Sequence, residues 1–325
     1  MTSQLDMFTG NPQAPRRSQA PSARLQRTKA APDEAEMVRI LEATGRYQIL
    51  RQLEPRAIVA TAKQGYPRRG VVLDTETTGL DARQDEVIEI GLIGFTFNDE
   101  GEIGDVTAVY GGLQQPSKPI PEEITRLTGI TDEMVHGQII DMPAVRALIE
   151  PADLIIAHNA SFDRPFCEAL SPIFARKAWA CSNSEIDWGM RGYEGTKLGY
   201  LINQSGYFHV GHRAVDDCFA LLEVLAHSRW DGDRSPFAEL YDAGKRSSVR
   251  IFAENSPFDL KDRLKARGYR WSDGSDGRPK SWWIETAEEA MEDELRFLRS
   301  EIYRWEEADP LVQRLTAFER FRSRK

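Results

Sequence analysis

Cysteine is scarce in this chain. Among 325 residues there are three, Cys167, Cys181 and Cys218, and no two stand in C-x-x-C spacing. An odd set spaced this way excludes a disulfide framework and argues against structural zinc, so the thiols read as small buried hydrophobes in a reducing compartment. Long apolar runs are also missing. Nothing approaches the roughly 18 consecutive apolar residues of a membrane span, and the N-terminus lacks the apolar core of a secretory signal. The expectation is a cytoplasmic protein with no membrane partner. Positive charge is not in excess either: 42 Lys and Arg face 51 Asp and Glu, a formal charge of -9. Such a total does not announce a nucleic-acid binder, although it hides local asymmetry. No internal repeat is found.

What the chain does have is enough apolar residue, 41%, to bury the core of one medium domain plus accessories. Residues 1–32 read as a disordered tail: from 9 to 32 it carries Arg16, Arg17, Arg24, Arg27 and Lys29, four prolines and no acid. A helical segment is expected over 33–66. Met37, Ile40 and Leu41 share one face and Gly45 supplies a C-cap; Ile49, Leu50 and Leu53 suggest a second short helix, both packing on the domain that follows.

Between 67 and 229 strands come first and αβ units follow. VVLDTE, EVIEIGLIGFTF and VTAVYGG read as strands, the last two joined by the polar turn NDEGEIGD. LIIAHN, from 154 to 159, is the short continuously apolar strand expected at a buried sheet centre, with a helix from about Ser161. The fold class is therefore α/β, a mixed sheet flanked by helices. A linker over 230–246 separates it from a small α+β module at 247–285, with VRIFAE as a strand, FDLKDRLKARG as a helix and YRWSDGSDGRPKSWWIE as a hairpin. A helical segment closes the chain over 286–325, opening with a Thr286–Glu289 capping box and carrying Met291, Leu295, Leu298, Ile302 and Trp305 on one stripe before Pro310.

The first strand of the domain ends in acids. Side chains alternate along a strand, so Asp74 and Glu76 project from one face, where two carboxylates repel unless a cation or a proton neutralises them. Capping of the turn at Thr77, Thr78 and Gly79 is the plainer reading of such a pair alone. Asp163 falls in the first turn of the helix after LIIAHN, with Asn159 or Ser161 as cap. In GHRAVDDCFALLEVL, Ala214, Asp217, Leu221 and Leu225 share a helical face, which turns Asp217 inward. Glu89, alternating with Ile88 and Ile90, reads as buried structural support. Four acids on three separated elements match what a two-cation carboxylate site requires. Oxygen ligands with no Cys and no paired His favour Mg²⁺ or Mn²⁺ over Zn²⁺.

The stretches D-T-E-T-T-G-L at 74–80, H-N-A-S-F-D-R-P-F at 158–166 and H-R-A-V-D-D at 212–217 resemble, in order and element type, the three motifs of the DEDDh 3′-to-5′ exonucleases, in particular the proofreading epsilon subunits of bacterial DNA polymerase III. The resemblance covers about half the chain and implies a ribonuclease-H-like sheet. It further implies two Mg²⁺ or Mn²⁺ ions held by Asp74, Glu76, Asp163 and Asp217, with His212 as general base and nucleoside 5′-monophosphates released from a DNA 3′ end, in proofreading or repair. Thr77, Gly79, Leu80, Glu123, His158, Asn159 and Phe162 fall where the family grips the terminal nucleotide; Phe162 reads equally as core, and Asp187 and Trp188 are candidates to line the cleft. One departure stands out: EEITRLTGIT has Thr128 where many epsilon-like chains have His, which puts that substrate contact in doubt.

Two further stretches resemble or suggest recognition elements. Gln4, Leu5, Met7 and Phe8 in QLDMF resemble the peptide by which bacterial replication proteins bind the sliding clamp, which makes the clamp and DNA polymerase III expected partners. In the C-terminal module Tyr269, Trp271, Trp282 and Trp283 interleave with Lys261, Arg263, Lys265, Arg267, Arg270, Arg278 and Lys280, either a stacking platform for a single strand or simply the core of a small module. The alternatives to a DNA exonuclease are an RNA-trimming relative and a non-catalytic clamp or polymerase adaptor.

Overall fold

The computed structural model describes residues 33–228, 232–275 and 277–322. The basic tail with Gln4, Leu5, Met7 and Phe8 lies outside them. The chain divides into two compact units, 1–49 and 50–325. In the first, helix α1 (Glu34–Glu42) starts where the Asp33 carboxylate accepts the Glu36 amide at 2.8 Å. None of its residues is buried.

The second unit opens on a strand where a helix was expected. β1 (Arg51–Gln52) pairs in parallel with Tyr207–Phe208, and Leu53 beside it packs on the main core. The spacing of Ile49, Leu50 and Leu53 is too short to fix a helical period, and a partner about 155 residues away decides the outcome. The antiparallel meander β2 (Arg68–Thr77), β3 (Val87–Phe97) and β4 (Ile103–Leu113) comes next. Helices α2 (Glu122–Thr128), α3 (Asp132–Val135) and α4 (Met142–Ile149) lead to β5 (Leu154–Ala157), and α5 (Ala160–Leu170) to β6 (Trp179–Cys181). Then follow α6 (Ser182–Glu185), α7 (Leu198–Gln204), β7 (Tyr207–Phe208) and α8 (Ala214–Ala226).

The sheet order is β4-β3-β2-β5-β6, antiparallel on the β4 side and parallel from β2 through β6. This is the ribonuclease-H-like mixed sheet. Every residue of β3 is buried, because helices cover both faces. One face packs Val72, Ile93, Phe95 and Phe97 against Leu201, Ile202 and the Leu221, Leu222 and Leu225 face of α8; the other packs Val71, Leu73, Ile90 and Leu92 against Val145, Ile149 and Phe166. The alternation of strand side chains thus feeds two separate cores.

The expected linker contains a helix. α9 (Pro236–Lys245) has Ser235 as N-cap, its hydroxyl accepting the Ala238 amide, and proline in its first turn. Phe237 is fully buried edge-on against Phe95 and Phe97, at 5.5 and 5.1 Å between centroids, so the segment belongs to the core of the first sheet. After it come β8 (Ser248–Ala253), α10 (Lys261–Ala266), the hairpin β9 (Arg270–Trp271) and β10 (Trp282–Ala287), α11 (Met291–Phe297) and β11 (Leu311–Leu315). They build a second sheet in the order β11-β8-β10-β9, with Val249, Ile251, Tyr269, Leu295, Leu298 and Ile302 as its core.

The closing segment differs from a single capped helix. Thr286 lies inside β10, a 3-10 turn over Glu288–Ala290 precedes α11, and the coil widens to a π-helix over Leu298–Tyr303 before ending at Arg304 with φ 52°. The stripe Leu295, Leu298, Ile302 is buried as expected, but Trp305 falls beyond the end of the helix and is 59% exposed. Residues 311–315 then add a strand to the module, so its boundary is not at 285.

The last described residues return to the first sheet. The Trp179 amide at its β6 edge donates to the Ala317 carbonyl, and the fully buried Arg164 guanidinium of α5 donates to the carbonyls of Phe318 and Arg320, both at 2.7 Å, while its Nε meets Glu168. Arg320 in turn ion-pairs with Glu185. Among the described residues, no helix is long and apolar enough to cross a membrane.

Candidate active site

β2 and β5 run parallel, so their carboxyl ends open on the same edge of the sheet, where loops diverge and leave a crevice. β2 delivers the two acids there. Asp74 lies directly across from Gly91 of β3, and Glu76 from Glu89, which puts all four positions on the face that α8 covers. The ladder slips at Glu76/Thr77, where pairing ends and the chain turns away. In that turn the Thr77 hydroxyl donates to the Gly79 carbonyl at 2.6 Å, and Leu80 projects outward, 85% exposed.

Gly91 admits the third acid. A Cβ there would sit 2.4 Å from the Ala214 carbonyl carbon and 2.6 Å from the Val215 amide, so the first turn of α8 rests on bare backbone. Glu89, 5% exposed, fixes that turn: it takes a two-pronged bond from Arg213 and accepts the Ala214 amide at 3.0 Å. Asp217 then reaches back to the Arg213 amide at 3.0 Å, and its other oxygen accepts from His209 Nε2 at 2.8 Å. One carboxylate oxygen from each of Asp74, Glu76 and Asp217 lies within 4.8 Å of the others.

Asp163 arrives from the opposite layer. It is buried in α5, and its Oδ1 accepts from the Thr75 amide at 3.2 Å and the Thr75 hydroxyl at 2.9 Å, on the face of β2 away from α8. It stays outside the three-carboxylate group yet near enough to act on Asp74 electrostatically. The acids raise one another's pKa. Burial, then Asp163, Asp217 and Glu76, push Asp74 well up; burial, then Asp217 and Glu89, take Glu76 to about 8; burial takes Asp163 to about 7 against its bonds from Thr75. Carboxyls pushed upward by burial and by one another are short of nearby positive charge, and the donor set is all oxygen. Those features fit a hard divalent cation.

The other expected residues are placed less uniformly. His212 is exposed with φ 66°, in the left-handed region, and its ring makes no hydrogen bond to the described residues. His158 is the reverse: Nδ1 accepts from the Ser182 hydroxyl at 2.8 Å, Nε2 donates to the Thr196 carbonyl at 2.7 Å, and burial lowers its pKa, so it is a neutral strut. Asn159 is the exposed N-cap residue of α5 without a side-chain cap bond, and Phe162 leans on Phe166 at 5.0 Å between centroids. Glu123 is exposed in the first turn of α2. Thr128 closes that helix, its hydroxyl donating to Ile124 and accepting from the Ile130 amide, an internal role. Trp188 is core, its indole N–H held by the Ser182 carbonyl, while Asp187 is exposed. His209 was not anticipated: it lies in a loop, where no periodicity ties it to Asp217.

Acids from two layers thus gather at the carboxyl edge of the mixed sheet, three of them close enough to share a cation. Residues 71–225 match the family model described as Exonuclease. The chain is 39% identical over 173 residues to a DNA polymerase III PolC-type of Thermotoga maritima, covering 48% of this chain and 11% of that protein. It is 29% identical over 165 residues to the DNA polymerase III subunit epsilon of Treponema pallidum, covering 47% of this chain and 72% of that one. The chain thus spans about a tenth of the length of the PolC-type relatives it matches. A solved E. coli exonuclease I–ssDNA complex superposes loosely, with a TM-score of 0.47 and 14% identity over 72% of this chain and 71% of that one.

Proposed function

We propose that this protein is a metal-dependent 3′-to-5′ exodeoxyribonuclease that releases nucleoside 5′-monophosphates in proofreading or repair. The observation that carries the reading is the convergence of Asp74, Glu76 and Asp217 within 4.8 Å, on a stretch that matches the Exonuclease family model. Asp74, Glu76 and Asp217 would hold the divalent ions, Mg²⁺ or Mn²⁺, with Asp163 completing the set. When bound, such ions supply charge for the scissile phosphate and lower the pKa of water.

The chain's own groups do the rest. His212, exposed and with its ring unengaged by the described residues, takes the proton of the attacking water. Its left-handed backbone is a conformation a non-glycine residue holds at a cost, which suits a side chain kept free for chemistry. His209 and the Arg213 amide orient the Asp217 carboxylate. Leu80 offers an exposed apolar face to the terminal base, and Thr77 and Gly79 shape the loop beneath it. Asn159 and Glu123 are exposed and available to polar atoms of the terminal nucleotide, whereas His158 supports the site from behind. DNA is favoured over RNA because the relatives are DNA polymerase III proteins. On the sequence of residues 4–8, the bacterial sliding clamp is the proposed partner, with DNA polymerase III itself a second.

The test uses 5′-labelled single-stranded DNA and RNA of one sequence with Mg²⁺, Mn²⁺ or EDTA, comparing the native chain with Asp217→Ala. A ladder that shortens from the DNA 3′ end, needs metal and is lost in the variant supports the reading. Faster trimming of RNA moves the protein to the RNA-trimming relatives, and no cleavage of either leaves an adaptor.

A further inference from the structure

The second sheet has two unlike faces. Val249, Ile251 and Ile284 face its own helices. On the other face a row crosses all four strands: Leu311 opposite Phe252, Phe252 opposite Trp283, and Trp283 opposite Arg270. Directly opposed residues share a face, so Trp283 stands in the middle of that row, partly exposed. Three guanidinium groups gather on its indole ring: Arg278 at 4.5 Å from the centroid, Arg250 at 5.0 Å and Arg270 at 5.7 Å. They come from the β9–β10 loop, β8 and β9, so the fold itself assembles the cluster. Glu285 bridges Arg250 at 3.0 Å.

Three cations on one indole repel, and a chain of net charge -9 places them together all the same. Cation–π contact holds guanidinium planes in a fixed attitude, so less freedom is lost when each meets an oxyanion. Guanidinium and indole planes also present flat surfaces to unstacked bases, which a duplex keeps hidden. Resting on the nuclease reading above, we propose that the Trp283 face of the second sheet binds the single-stranded stretch of the polynucleotide whose end is being trimmed. Arg270 and Arg278 take phosphates, and Trp283 organises them.

The test measures anisotropy of fluorescein-labelled dT20 with the full chain in EDTA, across a salt series, for native protein and for Arg270→Ala with Arg278→Ala. Arg270 is exposed and Arg278 lies in a loop, so the pair leaves the module's core alone. The expected result is at least tenfold weaker binding and a salt slope smaller by about 1.4, two phosphate contacts at roughly 0.7 each. With Mg²⁺, hydrolysis of a trinucleotide is expected to be unchanged by the pair. Unchanged dT20 affinity and slope overturn the assignment, as does equally tight binding of a 20-base-pair duplex. Native protein that binds dT20 through these arginines but hydrolyses nothing leaves this inference standing and removes the nuclease reading.

Discussion

Gly91→Ala replaces one hydrogen with a methyl group, and the structure says where that methyl goes. Its carbon would lie 2.4 Å from the Ala214 carbonyl carbon, 2.5 Å from the Ala214 oxygen and 2.6 Å from the Val215 nitrogen. Ordinary contact needs about 3.5 Å or more, so α8 has to retreat from β3 by about 1 Å. These atoms are backbone in the first turn of a helix and have no rotamer by which to escape. Overpacking of this kind costs about 1–3 kcal/mol in stability. The catalytic cost is larger, because Asp217 rides on α8 while Asp74 stays on β2 opposite position 91. A misplacement of about 1 Å in a catalytic group costs on the order of 100-fold in rate. Gly94→Ala is the control: on the same strand its methyl meets the tip of Leu148 at 2.9 Å, a side chain able to swing aside. The assay pairs thermal unfolding with the single-turnover rate of 3′-end cleavage under saturating Mg²⁺. Turnover within threefold of native for Gly91→Ala would refute the claim that this glycine sets the carboxylate geometry.

Stability should respond to pH in the sense opposite to a salt-bridged acid. Glu76 and Asp163 have folded pKa values of about 8 and 7, above their ordinary 4.5 and 3.8, so the folded chain holds protons that the unfolded chain releases. In EDTA the melting temperature is expected to fall from pH 5 to pH 8, and the stabilisation given by Mg²⁺ to grow over the same interval; Asp74→Asn, which removes one of the repelling charges, should flatten the slope, raise stability in EDTA at pH 8 and cut turnover at least a thousandfold. A melting temperature that rises over that interval in EDTA contradicts the assigned repulsion. His212→Gly should keep or slightly raise stability, since glycine adopts φ 66° without strain, while turnover drops about 100-fold and its pH profile changes shape with the loss of the general base. Kinetics across pH 6–9 together with a denaturant melt check both halves.

Much of this architecture was legible in residue order. Asp74 and Glu76 fall on one face because strands alternate, and Asp217 turns inward because Ala214, Leu221 and Leu225 define its side of α8; both are local periodicities. What escaped depends on layers. Asp163 is in the expected helix turn, yet nothing in the sequence says that α5 lies on the sheet face opposite α8, which is why its carboxylate meets Thr75 while the other three acids converge. His209 reaches Asp217 across a loop. The helix at Pro236 carried a readable signal, serine followed by proline, but the glycine and aspartate before it suggested a linker, and Phe237 finds its place only against Phe95 and Phe97. The Thr286–Glu289 capping pattern lost to strand pairing with Val249.

The buried Arg164 ties distant parts of the chain together. Its guanidinium, next in sequence to Asp163, is satisfied by the carbonyls of Phe318 and Arg320, more than 150 residues further along. Without those acceptors a charged group that belongs in the interior goes uncompensated, which is costly. The helix bearing Asp163 is therefore held by a segment that follows the second sheet, so that damage to residues 318–320, far from the carboxylates in sequence, is expected to reach them through α5.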